Sequence, residues 1–270
     1  MSGAGTSAGL REHLVASRIA GAVDTSRQDN LRNAARMAEG LDKYAFGLEP
    51  LGRWTADEVV QVMVERCGIV ADLTHIEGED RIDPDLTLAQ LARWRSRLAK
   101  AAAGQERVLI ATGHPTGVLA IHLRIASALR AAGCEVVVPA LDWRWPWPTN
   151  PGDPASGDGG WGRSRPRHVR TLNGVHVLAS GGELLHTHDA EPMRAVLAAL
   201  GDDPPSLVVA DHGWAGAAVQ AGLDTLGLAD CNDPALFVAE HEGRSIITVP
   251  LDDNVSPHLY DPVSDHLLDW

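Results

Sequence analysis

Aspartates and histidines follow three short apolar runs of this sequence. The runs are SLVVA, DTLGLA and IITVPL, and each has the length and composition of a buried strand. A carboxylate that leaves a buried strand is a common way to hold a metal ion, and a neighbouring imidazole can carry protons. The polar residues that follow the runs are Asp211 and His212, Asp230 and Asn232, and Asp252, Asp253 and Asn254. We expect the Asp211–His212 pair to be catalytic.

Carboxylates of this set make a candidate metal site. They are Asp211, Asp230, Asp252 and Asp253. Oxygen ligands suit a hard divalent cation such as Mg²⁺ or Mn²⁺. The adjacent charges of Asp252 and Asp253 repel each other unless a cation, water or hydrogen-bond donors compensate them. A solvated loop is the alternative for this pair, and Asn232 and Asn254 are expected to bind substrate.

The turn TGHPTG at residues 112–117 lies between a predicted strand and a predicted helix. Backbone N–H groups at the start of a helix, together with two hydroxyls, favour a phosphate or a carboxylate. The turn is not a Walker A loop, because it has no lysine, and it is not GxGxxG. In the alternative, the threonine caps the helix and the glycines only form a tight turn. The expected roles are substrate binding by Thr112, Gly113, Thr116 and Gly117, and catalysis by His114.

The segment ELLHTH at 183–188 predicts a strand with two histidines on one face. His186 and His188 could then act together as phosphate binders or metal ligands, and an open sheet edge with no function is the alternative. Asp233 precedes Pro234, which is typical of an ordinary helix start. His122 and His241 fall within predicted helices and are interpreted as packing or surface residues.

Strands and helices alternate through residues 105–270, which predicts an α/β domain with a doubly wound, mostly parallel, Rossmann-like sheet and helices on both faces. Ligands of such sheets bind beyond the carboxyl ends of the strands. Residues 1–104 show apolar spacings of three or four and predict a helical N-terminal region. The segment 141–168 holds five Pro, five Gly and four Trp, so it predicts a long loop. That loop is expected to be a lid over the site. Alternatively, it is a surface segment whose tryptophans pack against the rest of the protein or against a partner subunit, which would make the protein a homodimer.

The composition excludes several classes of protein. Lys and Arg number 23 against 36 Asp and Glu, and the resulting net charge of −13 argues against binding to nucleic acid or to an acidic membrane surface. A small anionic metabolite remains compatible with this charge. The three cysteines show no CxxC spacing and no leader or spanning segment is evident, so we expect a cytoplasmic protein.

Motifs along nearly the whole chain resemble an actinobacterial family labelled phosphatase. The motifs are TGHPTG, LLHTHDAEPM, VVADHGWAGAAVQAG, ADCNDPALFVAE and VPLDDNVSPHLYDP, with RIAG near the start. This resemblance implies a hydrolase that acts on a phosphate ester. The architecture is also similar, more faintly, to D-glutamate cyclase-type α/β domains.

The sequence thus supports one function with two alternatives. The first is removal of phosphate from a small phosphorylated metabolite, assisted by Mg²⁺ or Mn²⁺. The second is a lyase or cyclase that acts on a small carboxylate substrate at the same turn. The third is an anion-binding module without catalysis.

Overall fold

The computed structural model of the chain describes residues 3–144 and 167–270. Most of the tryptophan-rich segment expected at 141–168 lies outside these residues, so its interpretation as a lid or a subunit contact stays a prediction. Within the described ranges, no helix is long and apolar enough to cross a membrane.

Helices dominate the first part of the chain, as predicted. They are α1 (Gly3–Ala16), α2 (Arg27–Ala38), α3 (Asp42–Ala45), α4 (Ala56–Arg66) and α5 (Pro84–Gly104). Two short strands, β1 (Gly21–Ser26) and β2 (Glu79–Ile82), pair antiparallel, and the sequence does not predict them. The apolar–polar alternation typical of a strand is missing in β2, because one of its two buried positions is the charged Asp80. The carboxylate of Asp80 forms an ion pair at 2.9 Å with the buried guanidinium of Arg27.

The described residues of the second part of the chain form a mostly parallel sheet of eight strands in the order β10-β9-β8-β3-β6-β5, with β4 beside β3 and β7 beside β6. Only β5 and β7 run antiparallel to their neighbour β6. The strands are β3 (Arg107–Thr112), β4 (Glu135–Val136), β5 (Arg167–Leu172), β6 (Val175–Ser180), β7 (Glu183–Leu185), β8 (Leu207–Asp211), β9 (Thr225–Ala229) and β10 (Ile246–Pro250). The predicted fold class is confirmed.

Helices surround this sheet. They are α6 (Pro115–Ala131), α7 (Glu191–Leu200), α8 (His212–Gln220), α9 (Pro234–His241) and α10 (Asp261–Leu268), with a 3₁₀ turn at Pro257–Tyr260. Helix α5 of the N-terminal region packs on β10 and reaches it with the indole of Trp94, which donates to the backbone oxygen of Ile247 at 2.8 Å. Both parts of the chain contribute to a continuous apolar core.

Strand bounds differ from the sequence prediction in three places. The apolar run CEVVVPA at 134–140 has the composition of a buried strand, but within the described residues it pairs only at Glu135–Val136. The strand predicted at 183–188 ends at Leu185, because the next residues leave the sheet and Thr187 donates to the backbone oxygen of Gly113 at 2.8 Å. Strand β5 is not predicted at all, although the Asn173–Gly174 turn, with φ of 44° and 87°, is a recognisable hairpin signal.

The strand order reverses around β3. The chain crosses from β3 to β4 and β6 on one side, and later to β8, β9 and β10 on the other. In open α/β sheets the crevice beside such a reversal is the usual place for a ligand. The segments that follow β3 and β8 therefore meet at the expected position of a site.

Candidate active site

His212 lies at a sharp bend between a strand and a helix. Strand β8 ends at Asp211, and α8 begins at His212 with a left-handed φ of 49°. Such a backbone conformation is costly for a residue with a side chain, and it concentrates at functional sites. The bend also requires Gly213, because a Cβ there would lie 2.2 Å from the backbone oxygen of His188. The bend therefore brings His212 against the segment that follows β7.

The carboxylate of Asp211 orients His212. Nδ1 of His212 donates to Asp211 Oδ1 at 2.8 Å, and both side chains are buried. Although burial alone would raise the pKa of Asp211, the hydrogen bond and positive charge of His212 lower it well below its usual value. Nε2 of His212 is consequently turned away from Asp211, towards the interior of the site.

Asp211 also occupies the turn that was expected to bind an anion. Its Oδ1 accepts hydrogen bonds from the backbone N–H groups of Gly113 at 2.7 Å and His114 at 3.1 Å. These two donors at the start of α6 are therefore satisfied within the protein. The hydroxyl oxygen of Thr112 accepts a further bond from the N–H of His114 at 3.0 Å.

Four imidazoles surround the interior of the site. They belong to His114, His186, His188 and His212, and their ring centroids lie 4.3 to 5.6 Å apart in the pairs that touch. The rings of His114 and His186 stack at 4.3 Å with an interplanar angle of 6°. Nε2 of His186 lies 3.4 Å from Nε2 of His212. His186 is exposed whereas His114 and His212 are buried, so His186 marks the solvent side of the cluster.

Two of these imidazoles are uncharged at neutral pH. Although part of the His186 side chain is exposed, removal of its ring from water and the nearby rings of His212 and His114 lower its pKa to about 4. Burial and the rings of His212 and His186 lower the pKa of His188 to about 2. The expectation that both histidines reach one site agrees with their positions, although the regular strand that was expected to align them ends before His186. Neutral imidazoles are the form that binds metal ions.

Buried carboxylates complete the cluster on the other side of His212. Nε2 of His212 lies 3.4 Å from Asp233 Oδ2 and 3.5 Å from Asp253 Oδ2. Nδ1 of His114 lies 3.1 Å from the other oxygen of Asp253. Burial alone would lower the pKa of His212, but the carboxylates of Asp233, Asp211 and Asp253 raise it to about 10. Without a cation, His212 therefore carries a proton between these carboxylates.

Asp233 is a site residue that the sequence interpretation missed. It occupies the position before Pro234 at the start of α9, as expected, but its side chain makes no capping hydrogen bond and reaches His212 instead. Burial and the charge of Asp253 outweigh the imidazole of His212 and raise the pKa of Asp233 to about 7. The Asp–Pro pair gives an ordinary helix signal, so nothing local distinguishes this aspartate from a simple cap.

A second carboxylate group adjoins the first. One oxygen each of Asp230, Asp252 and Asp253 lies within 4.8 Å of the others, and all three residues are buried. The N-terminal region reaches this group, since the Thr25 hydroxyl donates to Asp230 at 2.5 Å and the backbone N–H of Asp24 donates to Asp252 at 3.4 Å. Burial, followed by the charges of Asp253 and Asp252, raises the pKa of Asp230 well above its usual value. β1 thus forms one wall of the site.

The other expected substrate-binding residues lie nearby but make fewer contacts. Thr116 and Asn254 are exposed, and Asn232 is half-buried with its backbone oxygen bonded to the amide of Asn33 at 2.8 Å. Gly117 is a packing residue, because a Cβ there would lie 1.8 Å from the backbone oxygen of Asp253. Its lack of a side chain lets the loop after β10 approach α6.

The described residues offer three groups that could hold a cation. They are His114, His186 and His212; His188, His212 and Asp233; and Asp230, Asp252 and Asp253. Asp211, which the sequence also predicts as a ligand, belongs to none of them and instead supports His212. The fit to a cation is good, since Asp253 Oδ2 and His188 Nδ1 are buried without a hydrogen-bonding partner. In the described ranges, no Lys or Arg forms an ion pair with Asp230, Asp233, Asp252 or Asp253.

Comparison with known proteins supports a single family. The family model described as Phosphatase matches residues 5–270. The phosphatase SCO2771 of Streptomyces coelicolor is 47% identical over 264 residues, which cover 96% of this chain and 94% of that protein. No solved structure matches the chain at a significant level. Because the match spans nearly the whole sequence, the chain belongs to the Phosphatase family, a family of enzymes that remove phosphate.

Proposed function

We propose that this enzyme hydrolyses a phosphate monoester of a small anionic metabolite and that it uses a divalent cation to do so. The observation that carries the proposal is the environment of four buried carboxylates. Asp233 and Asp253 face His212, and Asp230 and Asp252 adjoin them, with no Lys or Arg ion pair among the described residues. Their charge has to be compensated before an anionic substrate can approach.

Electrostatics favours a cation over protons for this compensation. A phosphate monoester carries about two negative charges near neutral pH, and the chain itself has a net charge of −13. Coulomb repulsion at a few ångströms in a poorly solvated site amounts to several kcal/mol. A bound divalent cation would offset much of this negative charge, stabilise developing negative charge on the phosphoryl group and acidify water.

The donor atoms indicate which cation suits each group. Imidazole with carboxylate, as in His188, His212 and Asp233, suits Mn²⁺ or a later transition metal better than Mg²⁺. The oxygen-only group of Asp230, Asp252 and Asp253 suits Mg²⁺ or Mn²⁺. Mn²⁺ is the ion that both groups accept, so it is our first choice.

The protein's own groups then divide the remaining work. Asp211 fixes the ring of His212 so that Nε2 faces the carboxylates, an arrangement typical of histidines that bind metal ions. If His212 binds the cation through Nε2, that nitrogen cannot transfer protons, so another residue has to do so. His186 is neutral and its Nε2 lies at the edge of the cluster, so it is the group best placed to accept a hydrogen bond from water there.

The experiment is a phosphate-release screen over sugar phosphates, nucleotides and amino-alcohol phosphates. The protein is stripped with a chelator and then reloaded with Mn²⁺ or Mg²⁺. We expect release only after reloading, and a loss of about 10²-fold in His186→Gln. The matched control is His75→Gln, which changes an exposed histidine outside the cluster.

Each other outcome selects an alternative. Full activity of the stripped protein would exclude the cation. Consumption of a carboxylate substrate without phosphate release would favour a lyase or cyclase. Thermal stabilisation by anions without any turnover would favour a binding module.

A further inference from the structure

Two of the candidate cation groups are neighbours but have no residue in common. The mixed group consists of His188, His212 and Asp233, and the oxygen-only group consists of Asp230, Asp252 and Asp253. The groups meet where Asp253 Oδ2 lies 3.5 Å from Nε2 of His212. They are also joined through the backbone, since the N–H of Asp233 donates to the backbone oxygen of Asp230 at 3.1 Å. Each group therefore has its own set of donor atoms within one continuous cluster.

Backbone and side-chain donors orient two carboxylates of the oxygen-only group. Oδ1 of Asp230 accepts from the backbone N–H of Cys231 at 2.6 Å, and Oδ1 of Asp252 accepts from that of Asn254 at 3.0 Å. The other oxygen of each carboxylate accepts from a residue of β1. A carboxylate oxygen has two lone pairs, so each of these oxygens can still bind a cation. The carboxylates are thus held in place before any ion arrives.

Asp253 differs from its two neighbours. Its side chain is only 6% exposed, and Oδ1 lies 3.1 Å from Nδ1 of His114. Oδ2 is buried and has no hydrogen-bonding partner among the described residues. A buried carboxylate oxygen without a donor is costly unless a cation compensates it. Oδ2 therefore points to a ligand between the two groups.

The distances around Nε2 of His212 fit metal ligands. Asp233 Oδ2 lies 3.4 Å from this nitrogen and Asp253 Oδ2 lies 3.5 Å from it. Both distances are longer than a good hydrogen bond. Donor atoms that bind one ion at about 2.1 Å are themselves about 3 to 3.5 Å apart. The spacing therefore leaves room for an ion among these atoms.

The tautomer of His212 limits this nitrogen to one ion. Nδ1 donates its proton to Asp211, so Nε2 of the neutral ring carries a lone pair that faces the carboxylates. One lone pair binds one cation. A second cation has to use other donors, and the oxygen-only group supplies them.

The charge of the cluster favours two ions over one. Asp230, Asp233, Asp252 and Asp253 together bring four negative charges when they are ionised. One divalent cation offsets half of this charge, so a phosphate ester with about two negative charges would still be repelled. Two divalent cations offset all of it.

We propose that the site binds two divalent cations at the same time, one in the mixed group and one in the oxygen-only group, with Asp253 between them as a shared ligand. This inference rests on the proposed use of a cation and adds the number of ions and their places. Ions about 3.5 to 4 Å apart act as a clamp on both the attacking and the leaving oxygen of a phosphoryl group. The pair thus gives the cluster a specific preference for phosphate esters.

The experiment counts the ions with Mn²⁺ alone, in the absence of substrate. The full chain is stripped with a chelator and dialysed to equilibrium against Mn²⁺, and the bound manganese per chain is measured by elemental analysis. We expect two ions per chain. The electron paramagnetic resonance spectrum of the loaded protein should show the exchange coupling of a close Mn²⁺ pair rather than the signal of isolated ions.

Variants assign each ion to its group. Asp233→Asn in the mixed group and Asp252→Asn in the oxygen-only group should each bind one ion and give the signal of an isolated ion. The double variant should bind none. Asp202→Asn, at an exposed position, is the matched control and should keep two coupled ions. If a single variant does not fold, His188→Gln or Asp230→Asn replaces it in the same group.

The outcomes separate this inference from the proposed function. One ion per chain in the wild type, or two ions without coupling, would overturn the pair. Two coupled ions in both single variants would overturn its assignment to these residues. If one ion supports full phosphate release, the proposed function stands and the pair is wrong. If two coupled ions bind but no phosphate ester is hydrolysed, the pair stands and the proposed function fails.

Discussion

Nδ1 of His212 lies 2.8 Å from Oδ1 of Asp211, the residue that directly precedes it. Successive side chains in a strand point to opposite faces. The contact forms because His212 leaves strand β8 with a left-handed backbone, which turns its ring back towards the last strand residue. One bend in the chain therefore supplies both an imidazole and the carboxylate that orients it.

Asp211→Asn should reduce both turnover and stability. We expect kcat to fall by about 10²-fold or more, because an amide no longer holds the ring of His212 in one orientation. Stability should fall by about 1 to 3 kcal/mol, because the carboxylate also accepts two backbone N–H groups. Urea unfolding and kcat per folded molecule separate the two effects. Asp202→Asn, at an exposed position, is the control, and unchanged turnover of folded Asp211→Asn would show that its role is only structural.

Gly117→Ala should displace the site residues after β10 through a steric clash, without changing any charge. The added Cβ would lie 1.8 Å from the backbone oxygen of Asp253, so the loop after β10 must move. We expect a loss of about 2 kcal/mol or more and weaker cation binding, as seen by urea unfolding and calorimetric titration. Gly9→Ala is the control, since nothing lies within 4 Å of its Cβ. Equal stability and equal cation affinity of the two variants would contradict the close approach of Gly117 to the loop after β10.

Cation binding should strengthen as the pH rises. His212 has a pKa raised to about 10 and Asp233 a pKa raised to about 7, so both bind protons that a cation must displace. The apparent affinity should increase by about tenfold per pH unit between pH 7 and pH 9, with release of about one proton per ion. Calorimetry in buffers of different ionisation enthalpy measures this release. An affinity independent of pH would exclude His212 as a ligand.

The neutral imidazole of His188 should make the stability of the cation-free protein sensitive to mild acid. His188 has a pKa lowered to about 2, so the unfolded chain binds a proton below about pH 6.5 that the folded chain does not take up until far lower pH. The contribution of His188 to stability is therefore lost progressively as the pH falls below about 6.5, whereas the raised pKa of Asp233 acts in the opposite direction. His188→Gln should flatten this dependence in urea unfolding at pH 8, 6 and 5. If the free energy of unfolding of the wild type and of His188→Gln changes with pH in the same way, His188 is not the cause of the pH dependence.

Sequence patterns predict the parts of this fold that depend on local periodicity. The buried face of α6, with Val118, Ile121, Ile125 and Leu129, follows directly from the spacing of apolar residues. Residues that follow a strand are also predictable, because parallel strands deliver them to one edge of the sheet. That rule places His114 and Asp253 in one cluster before any coordinates are considered.

Other site residues cannot be found in this way, because their roles arise from contacts distant in sequence. His122 sits within an apolar helix face and resembles an ordinary packing residue, yet it faces Asp211. Phe46 contacts the rings of His188 and His212 from the N-terminal region, and nothing in its neighbourhood indicates this. The twofold use of Asp211, as a partner of His212 and of the turn after β3, appears only when the strands are side by side.

The left-handed backbone at His212 has a consequence for protein engineering. Glycine and asparagine adopt that conformation more easily than histidine does. Replacement of His212 by either of them would therefore relieve backbone strain. Redesign guided by thermal stability alone would be drawn to such replacements and would remove the imidazole. In a mutational library, scores for folding and scores for activity should diverge most at this position.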